Sequence, residues 1–246
     1  MTSIEVLQQC TVSGNNVKLP AIQLERKLYQ DTAKALELIG GKWKGGKVSA
    51  FEFKIDPTDL LSKIAGGTKV NLKKEFQFFP TPQALAETMV YIAELQNHHR
   101  ILEPSAGHGA ILKEISKSVD VAVDYCELMD VNRTVLDSIS VNATLVGHDF
   151  MEIDESYKYD RIIANPPFKG NQDIEHIQKM YRLLNRGGMI VTLCSPHSKQ
   201  SSNRKETEFR EWLSDINAEV SDVPSGTFKE SGTNIATILI TIQKPL

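Results

Sequence analysis

The stretch Leu102-Glu-Pro-Ser-Ala-Gly-His-Gly109 separates a strand pattern, Arg100–Glu103, from a helix pattern, Ala110–Lys117. Glycines in such a loop let the backbone turn sharply and approach a ligand closely. The start of the following helix presents unpaired N–H groups to a carboxylate or phosphate. Only Gly107 and Gly109 are present, so the G-x-G-x-x-G pattern is incomplete, and an ordinary tight turn between a strand and a helix stays an open interpretation.

Segments with strand spacing and helix spacing alternate from about residue 79 to the end of the chain. The predicted strands are Arg100–Glu103, Val119–Cys126, Ala143–Val146, Tyr159–Ala164, Met189–Cys194, Ala218–Val223 and Ile235–Gln243. The predicted helices are Gln83–Asn97, Ala110–Lys117, Asp130–Ser140, Asp173–Leu184 and Lys205–Ile216. This alternation predicts a Rossmann-like, doubly wound α/β fold with a mainly parallel sheet. The last two strands have no helix between them, so we expect an antiparallel hairpin at one edge of the sheet.

Residues 1–78 break this alternation and predict a small N-terminal α/β appendage in front of a domain over residues 79–246. Ile22–Leu38 has apolar residues at helical spacing, and Val48–Phe53 alternates as a strand does. We therefore expect a helix and a strand in the appendage.

The composition is that of a globular protein: 246 residues, 41% hydrophobic and 24% charged, with a net charge of -3. It excludes disordered, collagen-like and disulfide-scaffold chains. Residues 1–80 hold 12 Lys and Arg against 8 Asp and Glu, whereas residues 81–246 hold 16 against 23. Cys10, Cys126 and Cys194 show no C-x-x-C spacing, so we expect no metal and a reduced, cytoplasmic setting. The sequence lacks a leader-like start and an apolar run of about 18–20 residues, so we expect no membrane partner.

Glu127 ends the second predicted strand of the main domain, 20 residues after Gly107. An acidic residue at this position binds ribose hydroxyls in doubly wound folds. A surface glutamate at the end of a strand is the alternative. Together with the glycine loop, Glu127 favours a cofactor that carries adenosine.

The tetrapeptide Asn165-Pro-Pro-Phe168 closes the fourth predicted strand of the main domain. Two consecutive prolines fix φ twice and remove two N–H donors, so the carbonyl groups of this turn face whatever occupies the pocket. The side chain of Asn165 adds a further carbonyl oxygen. Two acceptors in a rigid arc suit an exocyclic NH2 group, and Phe168 offers a flat face for stacking. A proline-rich connecting turn is the structural alternative.

The chain resembles the S-adenosylmethionine-dependent N6-adenine DNA methyltransferases, in particular the subgroup whose cofactor motifs precede the catalytic motif. The resemblance covers about residues 78–246. The matching motifs are Phe79-Pro-Thr-Pro82, Glu103–Gly109, Glu127, Asp149-Phe150, Asn165–Phe168 and, more loosely, Phe228.

This resemblance implies methyl transfer from S-adenosylmethionine to the N6 amino group of adenine in DNA, with the base flipped out of the stack. The implied catalytic residues are Asn165, Pro166, Pro167 and Phe168. The implied cofactor-binding residues are Thr81, Glu103, Pro104, Ala106, Gly107, Gly109, Glu127, Leu128, Asp149, Phe150 and Asn165. Phe168 and Phe228 would sandwich the base, with Phe209 and His197 as competing candidates for the second position.

Two basic segments are candidates for contact with DNA, either a duplex with a flipped adenine or a single strand. The first follows the fifth predicted strand of the main domain and carries His197 and Lys199; a solvated loop is its alternative. The second is in the appendage, where lysines surround Trp43. It could contact phosphates and stack a base, or Trp43 could pack onto the core of the appendage.

Other functions stay open at this point. Enzymes that methylate adenine in RNA or glutamine in proteins use similar Asn-Pro-Pro-aromatic turns, since an amide NH2 presents the same two donors. A non-catalytic binding subunit of the same fold is a third interpretation. The resemblance also indicates a restriction-modification setting. We expect no separate target-recognition segment after the main domain, so residues 1–78 and the loops are expected to supply specificity. The oligomeric state is left open.

Overall fold

The computed structural model describes residues 1–53, 56–68, 80–229 and 236–246. The chain forms two compact units, residues 1–78 and residues 79–246. Among the described residues, no helix is long and apolar enough to cross a membrane.

The first unit contains three helices and a four-stranded antiparallel sheet within its described residues. Its elements are α1 (Ser3–Gln8), β1 (Thr11–Ser13), β2 (Asn16–Lys18), α2 (Arg26–Leu38), β3 (Lys42–Lys44), β4 (Ala50–Glu52) and α3 (Thr58–Ala65). The strand order is β1-β2-β4-β3. A capping box starts α1: the Glu5 N–H donates to the Thr2 hydroxyl, and the Glu5 carboxylate accepts from the Thr2 N–H. The predicted helix and strand are present but shorter, as α2 and β4, while α1, β1, β2 and α3 are too short to show periodicity in the sequence.

The second unit is built on a seven-stranded sheet with the order β10-β11-β9-β8-β5-β6-β7. Its strands are β5 (Ile101–Glu103), β6 (Val123–Cys126), β7 (Ala143–Gly147), β8 (Tyr159–Ala164), β9 (Leu184–Cys194), β10 (Glu219–Asp222) and β11 (Ile238–Gln243). The five strands β5 to β9 are parallel, whereas β11 pairs antiparallel with β9 and β10 antiparallel with β11. The mainly parallel, doubly wound sheet and its antiparallel edge hairpin are therefore confirmed.

Helices and two short 3-10 turns connect these strands. They are α4 (Gln83–Ile92), α5 (Ala110–Ser118), α6 (Asp130–Asp137), α7 (Gln172–Leu183), α8 (His197–Gln200) and α9 (Arg204–Asp215), with 3-10 turns at Phe150–Glu152 and Lys169–Asn171.

Two hydrophobic cores lie on the two faces of this sheet. Consecutive residues of β8 alternate between them: Ile162 belongs to the core with α7 and α9, and Ile163 to the core with α4, α5 and α6. Successive side chains of a strand point to opposite faces, so each core covers one face of the sheet. Ile162 and Ile163 are both fully buried, as expected for a strand covered on both sides.

Several element boundaries differ from the sequence prediction, among them the start of β6, which is Val123 rather than Val119. The helix predicted over residues 83–97 ends at Ile92, and its N-cap is Pro82. Strand β9 begins at Leu184 rather than at the predicted Met189, so it includes the Gly187-Gly188 pair. Backbone bonds of 2.9 Å join Gly187 and Gly188 to Lys244, so pairing with the C-terminal segment carries β9 through the two glycines. The start of the predicted last strand, Ile235, lies outside the described residues.

The order of the parallel strands places one crevice at their carboxyl ends. Strand β5 lies between β8 and β6. After β5 the chain continues to β6 and β7 on one side, and after β8 it continues to β9 on the other side. In open α/β sheets this reversal of strand order is where ligands bind. The loops that follow β5, β6, β7, β8 and β9 all leave the sheet at this edge.

Candidate functional site

The glycine loop follows β5 and holds a conformation that requires glycine. Gly107 and Gly109 have φ angles of 57° and 74°, in the left-handed region that side chains disfavour. Gly109 is also sterically constrained, because a Cβ there would come within 2.5 Å of Ile139 Cδ1 and 2.9 Å of Leu136 Cδ2. The N–H of Ala106 donates to the carbonyl of Cys126 at 3.0 Å, which ties the loop to the end of β6.

Glu127 is brought to this loop by the pairing of β5 with β6. Its Oε2 accepts the N–H of Gly107 at 2.7 Å, and its Oε1 accepts the N–H of Met129 at 2.8 Å and the Asn132 amide at 3.1 Å. Burial raises the pKa of Glu127, while these hydrogen bonds oppose the rise. The carboxylate therefore sets the shape of the glycine loop at the place where a ribose hydroxyl is expected.

The neighbours of Glu127 include one predicted residue and one that the sequence did not single out. Leu128 is 57% exposed and borders the crevice. Arg133 donates from Nη1 to the carbonyl oxygens of Glu127 and Leu128, both at 2.8 Å. The sequence does not indicate this role for Arg133, because an arginine in the first turn of a helix is usually a solvated surface residue.

Glu103 lies at the carboxyl end of β5 with 1% of its surface exposed. Burial raises its pKa well above the usual value, and an N–H of Leu112 offsets part of this effect. Within the described part of the chain, no hydrogen-bond donor reaches its Oε2. Buried polar atoms are nearly always paired, so this oxygen fits a ligand that brings a donor, such as an ammonium group.

Asn165 directly follows β8 and contacts Thr81, which precedes α4. The Nδ2 group of Asn165 donates to the Thr81 hydroxyl at 3.1 Å. Because the amide nitrogen of Asn165 faces Thr81, the amide oxygen lies on the other side of the group, where it can accept hydrogen bonds. The structure thus joins two of the predicted site residues that lie 84 positions apart. Phe79, the first residue of the matching motif, lies outside the described residues.

The two prolines of the tetrapeptide differ in exposure: Pro166 is buried, as is Pro104 of the glycine loop, and Pro167 is half-buried. The half-buried ring of Phe168 packs against the core on the α4 side. Phe228 belongs to the same core and is only 2% exposed. The resemblance predicts an accessible ring at Phe228. This prediction is wrong, because apolar side chains of β9 and β11 pack around the ring and bury it.

Asp149 and Phe150 follow β7 and have different environments. Asp149 caps the 3-10 turn by accepting the Met151 N–H at 2.8 Å. The Phe150 ring is 2% exposed and lies 5.2 Å from the His176 ring, so its side chain is part of the core on the α7 side. What Phe150 can present to a ligand at this edge is its backbone.

The remaining candidates lie farther along the chain. His197 and Lys199 are exposed on α8, and Lys199 pairs with Asp222 at 2.8 Å. Phe209, the competitor of Phe228, is fully buried and stacks on Trp212. Of the proposed substrate-binding side chains, the structure therefore leaves His197, Lys199 and Phe168 accessible.

Comparisons with known proteins identify the fold. No protein-family model and no curated protein sequence matches the chain, but solved structures do. The methyltransferase subunit of the type I restriction-modification system from Streptococcus thermophilus has a TM-score of 0.55 and 19% identity, over 76% of this chain and 50% of its own. The M protein of the type I restriction enzyme EcoKI has a TM-score of 0.57 and 17% identity, over 90% and 55%. A candidate class I S-adenosylmethionine-dependent methyltransferase from Listeria monocytogenes has a TM-score of 0.56 and 13% identity, over 77% of this chain and 67% of its own.

The chain has a Rossmann-like methyltransferase fold. It spans about half the length of the two type I subunits that it resembles. At these identities the likeness concerns the fold, and the chemistry has to be argued from the residues of this chain.

Within this methyltransferase fold, two buried carboxylates tie the loop after β8 to the segment after β9. Glu206 on α9 accepts the Asn171 amide at 2.9 Å, and its Oε2 has no partner within the described residues. Asp173 at the start of α7 accepts the N–H of Ser195 at 2.8 Å. Burial raises the pKa of Asp173. Neither residue carries a signal in the sequence, since acidic residues on helices are usually exposed to solvent.

A separate cavity of about 770 Å³ opens at the other edge of the sheet. Its lining includes Tyr91, Met189 and Gln243, and it contains none of the predicted site residues. Among the residues that the structure describes, no group of three or more His, Cys, Asp or Glu side chains is placed to hold a metal ion.

Proposed function

We propose that the chain is an S-adenosylmethionine-dependent methyltransferase that acts on the N6 amino group of adenine in DNA. The observation that carries the proposal is the Asn165–Thr81 contact at the end of β8, beside the strand that leads into the glycine loop. It fixes an amide acceptor next to the loop in which a cofactor is expected. The likeness to methyltransferase subunits of type I restriction systems supports DNA as the substrate.

The residues at this edge fit the cofactor. The buried, unsatisfied oxygen of Glu103 suits the ammonium group of its methionine part. Glu127, at the end of the next strand, suits the ribose hydroxyls. Asp149 and the backbone of Phe150 follow β7, where the adenine is expected. Gly107 and Gly109 keep the loop free of side chains, so that a ligand can approach the backbone closely.

Bound S-adenosylmethionine supplies a methyl group on a positively charged sulfur, which makes the methyl carbon electrophilic. The Asn165 side-chain carbonyl and the Pro166 carbonyl accept the two hydrogens of the substrate amino group. This turns the nitrogen lone pair toward the methyl carbon. Phe168 stacks on the extruded base. The carbon–nitrogen bond would form as the methyl–sulfur bond breaks, and the methylated nitrogen, then positively charged, would release its proton to solvent. The residues would therefore contribute positioning and electrostatic stabilisation rather than a general base.

Asn165→Ala tests this mechanism. Turnover should fall by about 10²–10³-fold, the usual effect of removing one preorganised polar group that stabilises a transition state. Affinity for S-adenosylmethionine, measured by calorimetry, should stay close to that of the unaltered protein. An equal loss of turnover and cofactor affinity would show that Asn165 is structural.

The substrate class is tested by incubating the purified protein with isotopically labelled S-adenosylmethionine and, separately, mixed-sequence DNA, RNA or a glutamine-bearing protein. Mass spectrometry of hydrolysed DNA should show label in N6-methyladenine. Label in RNA or protein alone would support the other amino-methyltransferase interpretation. Cofactor binding without label in any substrate would support a non-catalytic subunit.

A further inference from the structure

A basic hairpin in the first unit, residues 42–49, is exposed along its whole length. It consists of β3 and the turn that leads to β4, and β3 lies at the end of the sheet order. We refer to residues 42–49 as the Trp43 hairpin. An edge strand with lysines is a common way to discourage pairing with other strands, but it does not explain an exposed tryptophan.

The lysines of the hairpin form one side of this surface. Lys42 and Lys44 are two residues apart on a strand, so their side chains point to the same face of the sheet. Lys44 lies 3.3 Å from Glu52, and both side chains are about half exposed. An exposed ion pair of this kind contributes little and can be exchanged for a phosphate contact. Lys47 in the turn adds a third exposed positive charge.

Trp43 forms the other side of the surface. Its side chain points to the face opposite Lys42 and Lys44 and is 45% exposed. Its ring meets the buried Phe51 edge-on, with 5.2 Å between the ring centroids. One part of the indole is therefore fixed against the core, and the rest is open to solvent. Trp43 therefore both packs onto the core of the appendage and leaves part of its ring available for stacking, which are the two alternatives that the sequence left open.

We propose that the Trp43 hairpin binds single-stranded nucleic acid, with phosphates against Lys42, Lys44 and Lys47 and one base stacked on Trp43. The proposal rests on the proposed function and adds to it a second contact for the substrate strand. Positive side chains that follow a backbone, together with an aromatic ring for an unstacked base, are the features that bind single strands without regard to sequence. A fixed ring loses little conformational freedom when a base stacks on it.

Tryptophan fluorescence tests the proposal directly, because the chain has two tryptophans and Trp212 is packed against Phe209 and Tyr181. The probe is an oligodeoxythymidine of about 16 nucleotides, within the usual site size. In the Trp212→Phe variant, the probe should quench the remaining emission. In Trp43→Phe, the probe should leave the emission unchanged, and this comparison stands even where Trp212→Phe folds poorly.

Salt dependence provides the matched control. Replacing Lys42, Lys44 and Lys47 with alanine should reduce the slope of log affinity against log salt by about 2, at about 0.7 per lost contact with a single strand. Replacing the exposed Lys27 and Lys34 of α2, in the same unit, should leave the slope unchanged. Unquenched Trp43 emission in the presence of bound probe, an equal loss of slope in both variants, or no binding of the probe would each overturn the proposal.

Failure of this surface is distinguishable from failure of the proposed function. The probe contains no adenine and cannot be a substrate for N6 methylation. Quenching without methylation of adenine DNA would leave the hairpin proposal standing and reject the enzyme proposal. Methylation of DNA without quenching by the probe would support the enzyme proposal and reject the hairpin proposal.

Discussion

Two buried carboxylates at the carboxyl ends of the parallel strands differ in how completely their oxygen atoms are hydrogen-bonded. Glu127 accepts three hydrogen bonds from groups near it, whereas Glu103 keeps one buried oxygen without a donor in the described part of the chain. A buried and incompletely paired carboxylate destabilises the folded state. Glu103 is therefore the residue where stability and ligand binding are expected to oppose each other.

Glu103→Gln should stabilise the protein without ligand, and the gain should grow with pH. The pKa of Glu103 is higher in the folded than in the unfolded chain, so its penalty on folding starts near pH 4.5 and increases as the pH rises toward the folded pKa. Urea unfolding at pH 5 and pH 8 measures the difference. Affinity for S-adenosylmethionine should fall about 10–100-fold, since a charge-assisted hydrogen bond is lost.

Glu114→Gln is the control for this prediction. Glu114 is also buried, but it lies 2.6 Å from Lys117 and so already has a partner. Its replacement removes one partner of an ion pair instead of an incompletely paired carboxylate, so it should not stabilise the protein. A Glu103→Gln variant with the pH profile of the unaltered protein would contradict the assignment of Glu103.

At the scale of elements, the loop after β8 depends on helix α9. The loop ends in two consecutive left-handed residues, Gly170 and Asn171, with φ angles of 63°. A non-glycine residue in this conformation is strained by roughly 1–3 kcal/mol unless its surroundings hold it. The Glu206 carboxylate supplies that hold through the Asn171 amide. We expect Glu206 to be a positioning residue for the catalytic turn, which lies only a few residues earlier.

Glu206→Ala should lower the turnover number about tenfold, with an unchanged dissociation constant for S-adenosylmethionine, because about 1.4 kcal/mol of loop positioning is lost. Glu206→Gln keeps an acceptor and should restore most of the turnover. Glu208→Ala removes an exposed acid of the same helix that pairs with Arg204, and it should have no effect. If Gln rescues no better than Ala, or if cofactor affinity falls in parallel, the contact does not position the loop.

At the scale of the whole molecule, the pH range of stability depends on groups buried between the sheet and its helices. His176 on α7 is 8% exposed against Phe150, and burial lowers its pKa to about 4. The unfolded chain binds this proton near pH 6.5, so the contribution of His176 is fully present above pH 6.5. It is lost as the pH falls toward 4.

His176→Leu should therefore make the protein less sensitive to acid. Between pH 7.5 and pH 5 the unaltered protein should lose about 2 kcal/mol through this residue, and the variant should lose that much less. Urea unfolding of both proteins at the two pH values gives the change in the free energy of unfolding. The contributions of other titrating groups are common to both proteins and cancel in the comparison. His98→Leu, at an exposed histidine, is the control and should follow the unaltered protein. Equal acid sensitivity of the His176 and His98 variants would contradict the prediction.

The amino-acid sequence alone was enough to predict the order of the strands and of the longer helices in residues 79–246, because these segments show strand or helix periodicity. It did not predict the short helix α8, which lies in a segment expected to be part of a loop. It also located the glycine loop, Glu127 and the turn at Asn165, since these motifs are local. It could not find Glu206, Asp173 or Arg133, whose roles come from partners far away in the chain.

Only the tertiary structure decided which of these residues meet. Pairing of β5 with β6 brings Glu127 to Gly107, and the packing of α4 brings Thr81 to Asn165. It likewise decided that Phe228 is buried, that Glu103 has an unsatisfied oxygen, and that Trp43 is half exposed. The physical reason is that burial and long-range hydrogen bonds depend on how distant segments pack, whereas secondary structure and motifs depend mainly on neighbours in the chain.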